Sequence, residues 1–335
     1  MSLGTSYGHR EIRASQNTAM KLIIQIPCYN EEHTLPQTVA DLPRQIEGVD
    51  IIEYLIIDDG STDATQQAAR KSGVHHIVVH KHNKGLARSF ADGLEACLKL
   101  NADIIVNTDG DNQYCGADIA ALVAPIIAGS ADLVVGDRQT RKIKHFSLSK
   151  KFLQRLGSGV VRRLSNTNVP DAVSGFRAFS RDAAMRLNIV SSFSYTIETI
   201  IQAGMKQMTI TSVPVRTNEK TRESRLFKSM GSFIQAQLTT MVRMYAMFKP
   251  LRIFFYIGFV FSLIGLGPII RFLYFYSIGD GSGHVQSLVL GGTFLIIGIL
   301  TLLIALLADL IGRNRQLTEE VLERIKRLEH HSHKK

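Results

Sequence analysis

Residues 104–113, IIVNTDGDNQ, join a short apolar run to two carboxylates that lie one residue apart. An apolar run of this length, bounded by polar residues, predicts a buried strand. Asp109 and Asp111 follow it directly, and their oxygens, with the amide oxygen of Gln113, are ligands that a hard divalent cation accepts. Such a pair is a weak signal by itself, because loops are rich in aspartate. Its position at a strand end makes it informative.

Similar apolar runs recur on both sides of this stretch and alternate with helical patterns. Strands are predicted at 22–26, 52–57, 76–79, 104–107 and 133–136, and helices at 31–44, 63–72 and 87–100. This alternation predicts one α/β domain with a parallel, doubly wound sheet. The sequence contains neither G-x-G-x-x-G after the first strand nor a P-loop motif, which argues against ordinary dinucleotide binding and P-loop chemistry.

Polar residues stand at the carboxyl ends of three predicted strands. Residues 29–31 (YNE) follow the first strand, Asp58 and Asp59 follow the second, and residues 109–111 (DGD) follow the fourth. Ligands of such sheets bind at this edge. Because clustered carboxylates repel one another unless a cation or hydrogen-bond donors neutralise them, we predict that the three loops converge on one ligand site.

The last eighty or so residues are strongly apolar. Residues 253–278 and 285–311 each exceed the roughly 20 residues that a membrane-spanning helix needs. The link between them has no Lys or Arg, whereas basic residues flank both outer sides: Lys249, Arg252, Arg313 and Arg315. The positive-inside rule then predicts a membrane hairpin with both large ends in the cytoplasm. Two buried core helices are the alternative.

The charge of the chain is strongly basic, with a net charge of +10 and a pI of about 9.6. Nucleic acid and anionic membranes are the usual partners of such proteins. We favour the membrane and exclude nucleic acid, because basic clusters lie beside the apolar spans and no nucleic-acid-binding motif accompanies them. Residues 141–166 interleave apolar and basic side chains, which is typical of an interfacial helix or of a solvated surface helix. Leu226–Phe248 has a similar helical period.

Three other segments are predicted to be peripheral to the chemistry. Residues 1–20 form a polar, disordered leader with no apolar core of a signal peptide. Amphipathic residues 318–328 are expected to pack on another subunit, on the membrane or on the domain. The cysteines and histidines are too irregularly spaced for a metal site, and we expect buried thiols and surface or edge imidazoles: Cys28, Cys97, Cys115, His75, His76, His80 and His82.

Five motifs, in this order, resemble those of family 2 glycosyltransferases: Pro27–Glu32 (PCYNEE), Asp58–Asp63 (DDGSTD), Asn83–Gly85 (NKG), Asp109–Gln113 (DGDNQ) and Ser174–Arg177 (SGFR). The resemblance covers about residues 21–230. Within the family the chain looks most like dolichol-phosphate-mannose-synthase-type enzymes, which place a sugar on a polyprenyl phosphate. The trailing hairpin resembles that of bacterial and archaeal members.

The resemblance implies an α/β, GT-A (Rossmann-like) catalytic domain at 21–228. Amphipathic and apolar segments then follow: a juxtamembrane helix at 229–250, a transmembrane pair within 251–312 (about 252–278 and 285–311), and a cytoplasmic amphipathic tail at 313–335.

The resemblance also implies roles for individual residues. The nucleotide pocket would include Pro27, Tyr29, Glu31, Asp58, Asp59 and Lys84. Ser224 and Arg225 look like the Ser-Lys pair that closes over the donor, although Glu219 stands where relatives carry an arginine and Arg222 is its candidate substitute. Mg²⁺ or Mn²⁺ would bind Asp109, Asp111 and Gln113. Arg138 and Arg177 would approach the acceptor phosphate or the diphosphate. Lys150, Lys151, Arg155 and Ser174 would bind the acceptor.

The expected activity is inverting transfer from a nucleotide-sugar to a polyprenyl or dolichyl phosphate at the cytoplasmic face of the cell membrane. A UDP-sugar carrying glucose or N-acetylglucosamine is favoured, with GDP-mannose as the alternative donor. The expected partners are therefore the nucleotide-sugar, the lipid phosphate, the bilayer and a second copy of the chain. A processive polysaccharide synthase is a rival, but its Gln-x-x-Arg-Trp motif needs a tryptophan and the chain has none. A non-catalytic membrane scaffold is the second rival.

Overall fold

The computed structural model describes residues 19–139, 167–190, 195–218, 250–279 and 282–333, with positions 235, 239 and 243. The chain divides into two compact units, of which one comprises Met1–Leu226 with His333–Lys335 and the other spans Phe227–Ser332. An α/β domain forms the first unit, and two long helices lie in the second.

A seven-stranded mixed sheet lies at the centre of the first unit, in the order β3-β2-β1-β4-β6-β5-β7. Its strands are β1 Lys21–Cys28, β2 Ile51–Asp58, β3 His76–Val79, β4 Ile104–Asn107, β5 Leu133–Asp137, β6 Arg177–Ser180 and β7 Ile210–Pro214. The neighbours pair in parallel except at β6, which runs antiparallel to both β4 and β5.

The sequence predicts a parallel sheet and no strand at β6, so the observed sheet is mixed where a parallel one is expected. The chain reaches this strand through a loop at the carboxyl edge of β4, so that Arg177 pairs with Asn107 and Ser180 pairs with Ile104. A strand that starts at this edge must run back toward the amino edge. Its four residues, RAFS, are too short and too polar to indicate a strand from their pattern.

Of the three predicted helices, the first two are shorter than their patterns indicate, and the third keeps its predicted length but begins one residue earlier. The described helices of the first unit are α1 Leu35–Asp41, α2 Thr65–Lys71, α3 Leu86–Lys99, α4 Ile119–Ile127, α5 Arg181–Arg186 and α6 Tyr195–Met205. The helix predicted from residue 31 begins four residues later, because the backbone amides of Thr34 and Leu35 both bond to the carbonyl of Glu31 in a tight turn. The strands predicted at 76–79 and 104–107 have the bounds that the sequence indicated.

A polar side chain, Gln25, lies within the apolar core of the sheet. It is fully buried in β1, where its Nε2 donates to Asn107 Oδ1 at 2.9 Å. Gly93 of α3 packs directly on this amide. A Cβ at Gly93 would come within 2.6 Å of Gln25 Oε1, so α3 can lie this close to β1 only with glycine at that position. Burying an amide is tolerated when it is hydrogen-bonded. The pair ties the centre of the sheet to the carboxyl edge of β4.

Two long apolar helices, α7 (Pro250–Ser277) and α8 (Val285–His333), lie in the second unit. Their most apolar windows have mean hydropathies of 2.3 and 2.8, and only 11% of each window is buried. Both are long and apolar enough to cross a membrane. Such low burial does not fit the alternative of two soluble core helices.

One helix, α8, contains both the second predicted span and the predicted amphipathic tail. The sequence indicated two segments that meet near residue 312. The structure instead has a single helix of 49 residues.

Glycines bring α7 and α8 into close contact. Gly258 and Gly265 of α7 lie seven residues apart, as do Gly291 and Gly298 of α8, so each pair occupies one helix face. A Cβ at Gly265 would lie 2.6 Å from the backbone nitrogen of Leu295 and 2.7 Å from the carbonyl oxygen of Gly291. Small residues that let helix backbones approach are typical of helix pairs in membranes.

We predict that Gly265→Leu destabilises the hairpin, because its side chain would meet backbone that cannot rotate away. Overpacking of this kind costs about 1–3 kcal/mol. Gly267→Leu is the matched control, since a Cβ there meets nothing within 4 Å. Thermal unfolding of the detergent-solubilised protein should show a lower midpoint for Gly265→Leu only. Equal midpoints for the two variants would contradict the glycine contact.

Candidate active site

Three acidic loops converge around the thiol of Cys28, the last residue of β1. Burial raises the pKa of this thiol well above its ordinary value, and the negative charges of Glu31, Asp58 and Asp109 raise it further. These carboxylates follow β1, β2 and β4. The loops therefore share one edge of the sheet, as the sequence predicted, and the thiol among them stays protonated.

The loops after β1 and β2 are joined by hydrogen bonds. The backbone amide of Asn30 donates to Ser61 Oγ at 2.9 Å, and that of Glu31 donates to Thr65 Oγ1 at 2.8 Å. Asn30 adopts φ +55°, a conformation that asparagine tolerates better than most residues. The hydroxyls of the DDGST segment and of the helix after it therefore shape the first loop.

Gly110 fastens the loop after β4 to the first loop. Thr38 Oγ1 donates to the carbonyl of Gly110 at 3.1 Å, and Thr34 Oγ1 lies 3.0 Å from the same oxygen and 2.7 Å from Glu31 Oε2. A Cβ at Gly110 would come within 2.9 Å of Cys28 Sγ, so only glycine fits. These contacts with Gly110 therefore fix the backbone between Asp109 and Asp111, the two carboxylates that flank it.

Asp109, Asp111 and Gln113 are adjacent in the structure. Gln113 Nε2 donates to Asp109 Oδ2, and its backbone amide donates to Asp111 Oδ1, both at 3.2 Å. Two carboxylates and an amide suit Mg²⁺ or Mn²⁺, once a half-turn of the amide presents its oxygen. Among the described residues no three His, Cys, Asp or Glu side chains form a complete metal cage. The set thus fits a cation whose remaining ligands are phosphates and water.

Gly175, in the SGFR segment, lies against Asp109. A Cβ at this position would be 3.2 and 3.3 Å from the two carboxylate oxygens of Asp109 and 2.9 Å from Tyr195 Oη. The contact explains the glycine, since any side chain would push the carboxylate out of place. The loop that precedes β6 therefore forms one wall of the candidate metal site.

Arg177 is fully buried, and its guanidinium donates hydrogen bonds to carbonyl groups of this loop and of α6. Its Nε donates to the carbonyl of Ser174 at 2.7 Å, Nη1 to that of Thr196 at 2.6 Å and Nη2 to that of Ala172 at 2.8 Å. Burial lowers the pKa of the guanidinium to about 10. The prediction that Arg177 contacts a phosphate does not agree with this burial, and we reassign it as a positioning residue.

Arg138 pairs with Asp171 beside the same loop. Its Nε and Nη2 donate to the two carboxylate oxygens at 2.7 and 3.0 Å, and its side chain remains 16% exposed. Burial acts to lower the pKa of Arg138, but the carboxylates of Asp171 and Asp109 and the hydrogen bonds to Asp171 raise it beyond its ordinary value. The site therefore contains a permanent cation near Asp109, and the predicted phosphate contact of Arg138 stays a prediction.

Two tyrosines that no sequence pattern indicates flank Gly175. Tyr114 Oη accepts a hydrogen bond from the amide of Gly175 at 3.2 Å, and Tyr195 Oη accepts one from Asn107 Nδ2 at 2.9 Å. Burial raises the pKa of Tyr114 to about 12, and burial together with the charge of Asp109 raises that of Tyr195. Both phenols are neutral at pH 7. Their sequence context carries no signal, because only the fold brings them together.

Asp59 organises the loop that contains Lys84. Its Oδ1 accepts from the backbone amide of Lys84 at 2.8 Å and lies 2.7 Å from His80 Nδ1, while its Oδ2 accepts from the amide of Gly85 at 2.8 Å. Asp59 is 4% exposed. Its predicted place in a nucleotide pocket stays a prediction. Its two oxygens fix the conformation of the Lys84–Gly85 loop through the backbone amides.

His80 is buried, and the prediction of a surface or edge histidine is wrong for it. Its side chain is 3% exposed and lies between two carboxylates, with Nε2 3.0 Å from Asp92 Oδ2 on α3. Asp92 also pairs with Arg88 at 2.9 Å. A buried imidazole between Asp59 and Asp92 links the loop after β2 to α3, a contact between segments that no local pattern indicates.

The other predicted nucleotide residues differ in exposure. Asp58 is fully buried, and its oxygens accept from the amide of Ser61 at 3.0 Å and from Gln66 Nε2 at 2.6 Å. Pro27 is buried in β1, whereas Tyr29 is 39% exposed at the same edge. Of the described members of this group, Tyr29 and Lys84 are the exposed side chains that offer a surface to a ligand.

The residues predicted to bind the acceptor or to close over the donor fall mostly outside the described part of the chain: Lys150, Lys151, Arg155, Glu219, Arg222, Ser224 and Arg225. Ser174 is described, is fully buried, and its Oγ has no hydrogen-bond partner among the described residues. Asn218 is the last residue described before this gap, and its backbone amide donates to the carbonyl of Gln113 at 3.0 Å, beside the candidate metal site.

Comparison with known proteins gives concordant matches. The family model described as Glycosyl transferase family 2 matches residues 23–187. The UDP-N-acetylglucosamine–dolichyl-phosphate N-acetylglucosaminyltransferase of Methanococcus voltae is 32% identical, over 59% of this chain and 86% of its own length. Glycosyltransferase AglJ of Haloferax volcanii is 27% identical over 91% of this chain and 97% of its own length, a coverage that includes the apolar helices.

The fold itself matches solved glycosyltransferase structures. The structure of glucosyl-3-phosphoglycerate synthase from Mycobacterium tuberculosis, in complex with Mn²⁺, UDP and phosphoglyceric acid, superposes with a TM-score of 0.53. The match covers 66% of this chain and 78% of that one at 20% identity. The α/β domain therefore has the GT-A fold, with the mixed sheet described above.

We predict that Asp59→Asn loosens the Lys84–Gly85 loop, because an amide side chain has one acceptor oxygen where the carboxylate has two. Loss of a hydrogen bond to a charged group costs about 1.5–3 kcal/mol, so exchange of the Lys84 and Gly85 amides should accelerate by about tenfold or more. Hydrogen exchange measures this directly. Asp63→Asn is the control, since Asp63 bonds to Glu32 and Thr65 instead. Unchanged exchange in Asp59→Asn would refute the assigned role.

Proposed function

The chain belongs to glycosyltransferase family 2, and on this premise we propose that it transfers a sugar from a nucleotide-sugar to a polyprenyl phosphate. The observation that carries the proposal is the adjacent set of Asp109, Asp111 and Gln113 beside the permanently charged Arg138. The Methanococcus voltae relative, whose name states a dolichyl-phosphate acceptor, supports the lipid acceptor.

We propose that the donor is a UDP-sugar that carries glucose or N-acetylglucosamine, with GDP-mannose as the alternative. The name of the Methanococcus voltae relative includes UDP-N-acetylglucosamine, and the superposed Mycobacterium tuberculosis structure contains UDP. The nucleotide would lie between the loops after β1 and β2, against the exposed ring of Tyr29. Pro27, Glu31, Asp58 and Asp59 would shape this pocket from within.

Asp109, Asp111 and Gln113 would hold Mg²⁺ or Mn²⁺. Such an ion, when bound, neutralises the negative charge of the donor diphosphate. Gly175, Tyr195 and the buried Arg177 keep Asp109 in place without touching a substrate. The Lys84 loop, with Ser224 and Arg225, would close the donor side of the site.

The acceptor phosphate needs no strong general base, because it is already an anion at neutral pH. One of its oxygens forms a bond to the anomeric carbon while the bond from that carbon to the diphosphate breaks, and the nucleoside diphosphate leaves with the bonding electron pair. A single displacement of this kind inverts the configuration. Bringing two anions together is the main task, and Arg138 with its fixed positive charge would contribute to it.

The helices α7 and α8 would anchor this chemistry where the lipid acceptor resides. We propose a cytoplasmic orientation, on the grounds that the basic residues lie on the outer flanks of the hairpin: Lys249, Arg252, Arg313 and Arg315. Residues 141–163, in which cations alternate with apolar side chains, would meet the lipid phosphate at the bilayer edge.

The purified protein, incubated with polyprenyl phosphate and a panel of nucleotide-sugars, should form one lipid-phosphate-sugar that mass spectrometry identifies. Chelation of divalent metal should abolish the product. Asp111→Asn should lower kcat by about a hundredfold, the cost of removing one charge-stabilising group. Glu95→Gln is the control, because Glu95 is an exposed carboxylate on α3 that pairs with Lys99. A polymeric product, or near-normal turnover by Asp111→Asn, would overturn the proposal.

Neutralising Lys150, Lys151 and Arg155 to glutamine should raise the KM for the lipid phosphate several-fold and leave the KM for the nucleotide-sugar unchanged. The reason is that these cations would bind the acceptor alone. Neutralising Arg70, Lys71 and Lys81, which are exposed on the first unit and distant from this segment in sequence, provides a matched loss of three charges. Equal effects on both KM values would contradict an acceptor role.

A further inference from the structure

An exposed apolar stripe runs along the end of α8, beyond the apolar span. It consists of Leu317, Val321, Ile325 and Leu328, whose exposed fractions are 60%, 56%, 46% and 69%. Their spacing of four, four and three residues keeps them on one face of the helix. Large apolar side chains on one face of a helix in water are normally covered by a partner.

On the opposite face of the same helix charged side chains are mostly covered, whereas charged residues of a helix in water are usually exposed. The side chains of Arg315, Glu319 and Glu323 are only 22%, 12% and 24% exposed, and they form intrahelical ion pairs. Since successive residues of an α-helix turn by about 100°, these charged residues lie on roughly the far side from the stripe. The stripe is thus a second face of α8, separate from the half-buried one.

The bilayer cannot cover the stripe while α8 remains straight and crosses the membrane. At 1.5 Å per residue, Leu317 lies about 9 Å and Leu328 about 26 Å beyond residue 311, where the predicted span ends. The headgroup layer adds only about 5–8 Å on each side of the hydrocarbon core. Most of the stripe therefore lies in water, which leaves a protein surface as its partner.

We propose that the stripe pairs with the stripe of a second copy of this chain, in a short parallel two-stranded coiled coil. The proposal rests on α7 and α8 spanning a membrane, and not on the transfer reaction. Copies with one insertion direction must present α8 in the same direction, so their stripes run parallel. Ile325 and Thr318 then occupy a positions, Val321 and Leu328 occupy d positions, and Leu317 falls at the g position beside this seam.

The residue types and the flanking charges fit this register. A β-branched residue at a with leucine at d favours two strands, as Ile325 and Leu328 provide. Arg324 falls at g and Glu329 at the following e position, where g and e residues of parallel partners meet with opposite charge. Two heptads are few, but the membrane anchor holds the copies close together, which raises their effective concentration.

The first test is disulfide cross-linking of Leu328→Cys in the full chain, reconstituted in lipid vesicles and carrying Cys115→Ser. The remaining cysteines, Cys28 and Cys97, are buried. A mild oxidant should convert most of this variant to a covalent dimer on a non-reducing gel. Glu320→Cys, an exposed position off the stripe, is the matched control and should give little dimer. Equal cross-linking at the two positions, or none at Leu328→Cys, would overturn the proposal.

The second test is a charge exchange read out by the same cross-link. Arg324→Glu and Glu329→Arg should each lower the dimer yield of Leu328→Cys, and the double exchange should restore it. Restoration requires these two positions to face each other across copies, which neither lipid nor a segment of the same chain can mimic. Failure of the double exchange to restore the yield would overturn the register. Quenching of a probe at residue 328 by nitroxide lipid would identify the bilayer as the occupant instead. None of these readouts depends on transfer activity.

Discussion

The buried guanidinium of Arg177 is the interaction on which the catalytic edge depends. A charge without solvent is costly unless hydrogen bonds surround it, and here carbonyls of the 172–174 segment and of α6 supply them. The same residue starts β6, the antiparallel strand that interrupts the sheet. One side chain thereby fixes both the reversal of the chain and the position of Gly175 against Asp109.

The local features of the fold could be predicted from sequence, and the long-range ones could not. The strands at 76–79 and 104–107 follow from short apolar runs between polar residues, a signal that each segment carries by itself. The direction of β6 depends on where the chain arrives after residue 166, which no pattern within RAFS encodes. The continuity of α8 was missed because a change in composition near residue 312 resembles a boundary, although the backbone has no break there.

In the candidate site, too, the sequence predicts which loops meet but not which groups each side chain contacts. The acidic loops were predicted to converge because parallel strands end at one edge of a sheet. Individual roles were harder to predict, since Arg177 faces carbonyl groups of its own chain and Asp59 faces backbone amides. Tyr114 and His80 receive their importance from residues distant in sequence. A motif thus identifies which residues matter, while burial separates those that support the site from those that can meet a ligand.

The unbroken α8 joins a part that is long and apolar enough to cross a membrane to the amphipathic end that carries the stripe. An unbroken helix fixes the direction of each of its faces, and Gly291 and Gly298, which face α7, are turned by about 125° from the centre of the apolar stripe. In the proposed dimer the two α8 helices would therefore stand at the centre and the two α7 helices at the periphery. Any rotation of the apolar part of α8 about its own axis would therefore turn the stripe by the same angle.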